Sequence, residues 1–258
     1  MNFIKLAEVY QNLESISSGN EMREVLAEFL KTVPEQNIHI ISHLCIGKFG
    51  AEYENKVLGM AEKTLLKAIA KASGRSEKEI KQIANKKGDA GLVAEEIFKK
   101  KPITLIPVGK LTIKELEEKV EKIISTSGSG SQDFKLKLVM SMLQKCSNIE
   151  AKYLIRLLQN NMRIGVGDMT VLDSLAIAFT GEKKNKKILE DAYNIYPDVG
   201  VIAEKLSNKG LKNVSKIEIK VGTPIKVMLA QRVKKISEIS DKISGELAVE
   251  TKYDGERV

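Results

Sequence analysis

The sequence predicts a mainly all-α protein, a multi-helix domain followed by a short β-containing segment. Three observations lead there. Apolar residues recur at one-face helical spacing until about residue 210. Capping signals and chain-reversing glycines punctuate that pattern at short intervals. Period two occurs only in Lys216 to Val221 and Glu246 to Lys252. A chain of 258 residues can hold one large domain or two small ones.

Taken in order, Asn20 reads as the N-cap of a helix carrying Met22, Val25, Leu26, Phe29 and Leu30 on one face. Val57, Leu58, Ala61, Leu65, Ala68 and Ile69 predict a longer helix. Ser76 with Glu79, Thr112 with Glu115, and Ser147 with Glu150 have the spacing of capping boxes. Gly74, Gly88 and Gly210 suit helix C-termini. The pattern amounts to about ten to twelve short helices without an internal repeat. In the second alternating run Leu247, Val249 and Thr251 share one face of a strand, and Ala248, Glu250 and Lys252 the other. Gly222-Thr223-Pro224-Ile225 breaks helix. That segment reads as a linker or domain entry, and the domain boundary is placed near residue 218, giving residues 1–218 as the helical domain and 219–258 as the start of a second.

Lys+Arg 42 against Asp+Glu 34 leaves +8, which attracts polyanions without naming one. Trp is absent and aromatics make up 5%, so the core is aliphatic. Cys45 and Cys146 form neither a disulfide framework nor a zinc spacing, and a reducing cytoplasm is the simple reading. The N-terminus lacks the apolar run of a signal peptide, and no stretch approaches the ~20 apolar residues of a membrane span.

Two features carry chemistry. Lys252 stands in Glu250-Thr251-Lys252-Tyr253-Asp254-Gly255-Glu256-Arg257, a K-x-D-G-x-R frame at a strand end. A lysine nucleophile must be neutral, and burial or nearby cations can lower its ordinary pKa of about 10.4. The null for this motif is a hairpin turn with solvated charges. The second feature is a set of three glycine-containing helix junctions: Lys86 to Gly91, Ser127 to Asp133, and Met162 to Thr170. Glycine lets a backbone approach phosphate closely, and a helix start aims N–H groups at it. Several such sites on a basic domain suit the regular phosphates of a duplex. Each taken singly also reads as an ordinary interhelical turn. His39 and His43, four apart, have metal-ligand spacing, but the run Ile38, Ile40, Ile41, Leu44, Ile46 reads as core, so no metal ligand is assigned. Lys99-Lys100-Lys101 and the run Lys183 to Lys187 could touch a polyanion, though the second reads as a solvated face.

The K-x-D-G-x-R frame resembles motif I of the covalent nucleotidyltransferases. The order GDAGLVAEE, GSGSQD, EAKYLIRLLQNNMRIGVGD, GTPIKVMLAQRV, ETKYDGER resembles archaeal and eukaryotic ATP-dependent DNA ligases along essentially the whole chain, and Glu150 to Asp168 is its most specific part. The resemblance implies a helical DNA-binding domain followed by the opening of the adenylation (nucleotidyltransferase) domain. It implies that Lys252 is the adenylated lysine, and that Glu250 and Arg257 contact the nucleotide. It places Gly88, Gly91, Gly128, Gly130, Ser131, Gln132, Arg163, Gly165 and Gly167 in DNA-contacting loops. ATP and Mg²⁺ are the implied cofactors of the full-length enzyme, with ADP or NAD open as donor. The chain reads as an N-terminal fragment, expected to bind nicked duplex DNA as a monomer in the cytoplasm, nucleoid-associated, without bound cofactor or ligation. One departure concerns a clamp-binding segment, which here reads Lys101-Pro102-Ile103-Thr104-Leu105-Ile106-Pro107 and lacks the glutamine and aromatic pair. Leu105 and Ile106 are its remaining candidates for a sliding-clamp pocket. The rival readings are a non-catalytic duplex-DNA scaffold and a fragment of an RNA-directed nucleotidyltransferase.

Overall fold

The computed structural model describes residues 1–100, 109–227, 232–251 and 255. Contacts divide the chain into two units, Met1–Lys226 and Val227–Val258.

The first unit is built from α1 (Phe3–Ser15), α2 (Gly19–Lys31), α3 (Glu35–Cys45), α4 (Glu62–Ser73), α5 (Glu77–Lys87), α6 (Ala90–Phe98) and α7 (Ile113–Ser125), followed by α8 (Ser131–Leu143), α9 (Asn148–Leu158), α10 (Asp168–Thr180), α11 (Lys186–Ile195), α12 (Val199–Lys209) and the short α13 (Leu211–Val214). The pairs α6–α9, α2–α10, α3–α12 and α4–α8 form its main packing contacts. Every residue of α9 from Glu150 to Leu158 is buried, so this helix is the axis around which α1 and α6 pack. Tyr153, Leu154, Ile155 and Leu157 have no exposed surface. Burying such side chains contributes about 1.5–3 kcal/mol each, which dominates any helix propensity. The N-terminus is sewn to the start of α7: Phe3 N–H donates to Leu111 O at 2.8 Å and Ile113 N–H to Met1 O at 2.9 Å. Cys45 and Cys146 are both buried, and burial pushes the Cys45 thiol up to about 12. No helix among the described residues is long and apolar enough to cross a membrane.

Several local expectations need correction. The N-cap of α2 is Ser18, whose hydroxyl accepts from Glu21 N–H, rather than Asn20. The helix expected from Val57 begins only at Glu62, because Asn55 and Gly59 take left-handed backbone at φ 48° and 60° and no helix passes through them. Only Ser147–Glu150 closes a full capping box, with Glu150 accepting from Ser147 N–H at 2.8 Å. Thr112 and Ser76 cap one way, because the carboxylate of Glu115 is engaged by Lys119 and Lys145, and that of Glu79 by Arg75.

The β expectation is not met among the described residues, which contain no strand and only an isolated bridge between Asn2 and Thr112. Lys216 to Val221 ends in a turn closed by Thr223 N–H to Lys220 O at 3.0 Å, and Val221 is almost fully exposed. In the second unit the described residues hold one six-residue helix, α14 (Ser237–Lys242), and none of them is buried. Glu246 to Thr251 stays irregular, with Val249 90% exposed. Alternation supplies a strand's faces but not its hydrogen bonds, which must come from a neighbouring strand.

Candidate nucleic-acid interface

The junction from Met162 to Thr170 shows a clear division of labour. Met162, Ile164 and Val166 are buried, while Arg163, Gly165 and Gly167 are exposed. Three apolar anchors thus pin an extended loop to the core, and every second residue faces outward. Arg163 is held at φ 56°, an unusual backbone for a residue with a Cβ. Its guanidinium is half exposed, with Nη1 3.4 Å from Asp89 Oδ2. Gly167 then forms the N-cap of α10, with no side-chain cap.

Asp89 joins this junction to the first one. It is the N-cap of α6, where Oδ1 accepts from Leu92 N–H at 2.9 Å. Its other oxygen meets Arg156 Nη2 at 3.1 Å, and Arg156 Nη1 reaches Glu14 at 3.0 Å. Glu14 also pairs with Lys152 at 2.8 Å and accepts from Tyr153 Oη at 2.7 Å. An ionic chain therefore runs from exposed Glu14 on α1 through buried Arg156 on α9 to buried Asp89 on α6, and ends at the exposed Arg163. Burial pushes the Asp89 carboxyl up, but hydrogen bonds from Leu92 and Arg156, with the charges of Arg156 and Arg163, hold it below its usual range. Glu14 is likewise opposed by burial, yet Lys152, Tyr153 and Arg156 bring it down to about 2.

The expected glycines divide into two kinds. Gly88 caps α5 at φ 63°, and a Cβ there would meet nothing within 4 Å; Gly128, Gly130 and Gly167 are equally open. Gly165 faces only Met22 Cε at 3.9 Å. Gly91 differs: it is buried, and a Cβ would lie 2.8 Å from Arg156 Cγ and from the Lys152 carbonyl. It allows α6 to close on α9. In the second junction Gly130, at φ 78°, is the N-cap of α8 without a side-chain cap, and Ser131 opens the helix. Gln132 lines a shallow depression with Gly59, Thr64 and Lys67. The structure therefore brings the first and third junctions together through Asp89, while the second is carried on α8, which packs on α4. Lys183 to Lys187 is largely engaged in pairs, with Lys184 on Glu182, Lys186 on Asp173 and Glu190, and Lys187 on Asp191. Lys101, Leu105, Ile106, Lys252 and Arg257 lie outside the described residues. Glu250 is described and exposed.

Sequence reasoning missed Asp89 and Arg156 as the pair that holds the arginine. The alternation of Met162, Ile164 and Val166 with Arg163, Gly165 and Gly167 was the available signal.

Residues 2–176 match the family model described as DNA ligase N terminus. The whole chain aligns with a probable DNA ligase of Persephonella marina at 38% identity and with a DNA ligase of Nitrosopumilus maritimus at 40%, covering 44% of each. It aligns equally fully with DNA ligase 1 of Methanosarcina acetivorans at 38%, covering 43% of that protein. The chain thus spans less than half the length of these relatives. With the family model covering the axis helix α9 and both junctions joined through Asp89, the chain belongs to the DNA ligase N terminus family.

Proposed function

We propose that residues 1–218 are the DNA-gripping domain of an ATP-dependent DNA ligase and that residues 219–258 begin its adenylation domain. The observation that carries this reading is the pinned loop, with Arg163 standing between open glycines and tied to buried Asp89. Gly88, Gly165 and Gly167 let duplex phosphates approach the backbone, and Arg163 supplies the charge. The uncapped start of α8 offers further N–H groups near Gly128, Gly130, Ser131 and Gln132, and that of α10 does so at Gly167. Such contacts grip nicked duplex without reading sequence, holding the broken ends in line for reaction.

In the parent enzyme Lys252 would take AMP from ATP with release of pyrophosphate, Mg²⁺ would assist and Glu250 and Arg257 would contact the nucleotide; the AMP would pass from the lysine to a 5′-phosphate, and the 3′-hydroxyl would attack that phosphate with AMP leaving. Leu105 and Ile106 are proposed to dock on a sliding clamp, and a double alanine variant that still pulls clamp down as well as wild type removes that assignment. The chain joined to the C-terminal part of its Nitrosopumilus maritimus relative should give a Lys252-linked adenylate with labelled ATP. A non-catalytic scaffold gives none.

The direct test of the grip is a salt titration on nicked duplex. The logarithm of the affinity should fall linearly with log[salt], with a slope of about 0.9 per phosphate contact. Arg163→Ala should weaken binding to all sequences alike and reduce the slope by about one. Affinity that barely moves between low and moderate salt refutes the reading. Preference for an RNA duplex in competition points instead to an RNA-directed enzyme.

A further inference from the structure

Away from the DNA junctions, α3 and α12 meet over a polar cluster that the ligase reading does not use. His39 and His43 stand one turn apart on α3, and Asp198 is the N-cap of α12. One ligand atom from each of the three lies within 4.8 Å of the others. His43 is 2% exposed, and its Nε2 faces Asp198 Oδ1 at 3.0 Å. A buried imidazole and a buried carboxylate this close, with a second imidazole beside them, place three metal-ligating groups together.

Gly200 explains how the groups come so close. A Cβ there would lie 2.6 Å from His43 Nε2 and 2.7 Å from His39 Nε2. Both nitrogens therefore converge on the first turn of α12, where only glycine leaves them room. The other nitrogen of His39, Nδ1, faces Glu204 Oε2 at 3.5 Å. A carboxylate behind the outer nitrogen of a histidine is the usual support for a metal-binding imidazole, because it fixes the ring and raises its basicity. Asp198 is held by Val201 N–H on Oδ1 at 3.0 Å and has Tyr53 Oη 3.5 Å from Oδ2.

We propose that His39, His43 and Asp198 form a binding site for a divalent transition metal, zinc or its analogues nickel and cobalt, which staples α3 to α12. Two imidazoles and a carboxylate are the donor set such ions favour over magnesium or calcium. Tetrahedral ligands at about 2.0–2.1 Å from zinc stand roughly 3.3 Å apart, so the cluster closes by a small contraction. The fourth position falls to water. The metal would join residues far apart in sequence and stabilise the helical unit whether or not DNA is bound.

The test uses the untagged chain, stripped with chelator and titrated with Zn²⁺ by calorimetry and with Co²⁺ by visible absorption. One ion per chain is expected, with the intense visible bands of tetrahedral cobalt and a melting temperature raised by roughly 5–10 °C at a large excess over Kd. His39→Ala and Asp198→Asn should each abolish the cobalt spectrum and the thermal shift. Asn still caps a helix and His39 is partly exposed, so both variants should fold, as circular dichroism would verify. Absence of saturable uptake overturns the proposal. So does uptake that survives either substitution, or a thiolate–cobalt charge-transfer band showing that Cys45 or Cys146 holds the ion instead.

Discussion

Replacing Asp89 tests the ionic chain where its burial is deepest. The side chains of Arg156 and Asp89 are 3% and 4% exposed, whereas Arg163 is 53% exposed. Removing one partner of a buried pair costs about 3–5 kcal/mol, since the remaining charge stays desolvated. Loss of the α6 N-cap adds about 1 kcal/mol. Asp89→Ala should therefore lose roughly 4–6 kcal/mol, lowering the melting temperature by about 10–20 °C for a domain of this size. Asp89→Asn keeps the cap and a neutral acceptor, and Glu14 still faces Arg156, so its loss should be smaller, roughly 2–3 kcal/mol. Urea denaturation followed by circular dichroism measures both. Double-mutant cycles should then find a large Asp89–Arg156 coupling and an Asp89–Arg163 coupling of at most about 1 kcal/mol, because the second pair is half solvated. If Asp89→Ala stays within 1 kcal/mol of wild type, or the two couplings are equal, the chain of buried charges is not what holds α6 to α9.

Gly91→Ala sets helix propensity, a gain of about 1 kcal/mol, against a contact at 2.8 Å with the fixed Lys152 carbonyl. Overpacking of this kind costs about 1–3 kcal/mol, so net destabilisation is expected in a thermal melt, with the DNA salt slope unchanged. Arg163→Gly relieves a strained backbone worth about 1–2 kcal/mol and loses only a half-exposed pair; stability should stay within about 1 kcal/mol while DNA affinity falls. A parallel loss of fold and affinity would show that Arg163 is structural. Glu14 and Asp89 have folded pKa values below their unfolded ones, so their stabilisation is full above about pH 5 and is lost as pH falls toward the folded values, near 2 for Glu14. The Glu14→Gln variant should show a flatter decline of urea midpoint over that acid range; curves that differ only by a constant offset would contradict this.

Much of the helical unit was legible because its signals are local. Ser147 and Glu150 predict their own cap, and the apolar positions of α2 show its buried face whatever it packs against. The failures arise where a second segment decides. Val57 and Leu58 continue a helical pattern, but two left-handed residues redirect the chain before Glu62. Glu246 to Thr251 alternates as a strand should, yet hydrogen-bonded pairing cannot be read from one segment alone. The site divides in the same way. Open glycines could be picked out one by one, whereas Gly91 resembles them in sequence and differs only because α9 lies against it. Asp89 looked like a turn residue, and its partner Arg156 is 67 positions away.

On the proposed DNA grip, the ionic chain acts as a positioning device more than as a source of stability. Apolar residues of equal volume could hold α1, α6 and α9 together as well, since desolvating charges offsets much of their attraction. They could not hold a fixed carboxylate behind a surface arginine. Asp89 does so: three donors orient it, from Leu92, Arg156 and Arg163, and the last of these projects outward. An arginine on a long free stem would spend most of its conformations away from a phosphate and would lose that freedom on binding. The loop anchored by Met162, Ile164 and Val166, together with the carboxylate behind the guanidinium, meets part of that cost during folding. The same carboxylate also competes with the phosphate for the arginine. An exposed pair at 3.4 Å is weak enough for a duplex phosphate to displace it or share the guanidinium, whereas the Arg156 pair on the other side remains buried and closed.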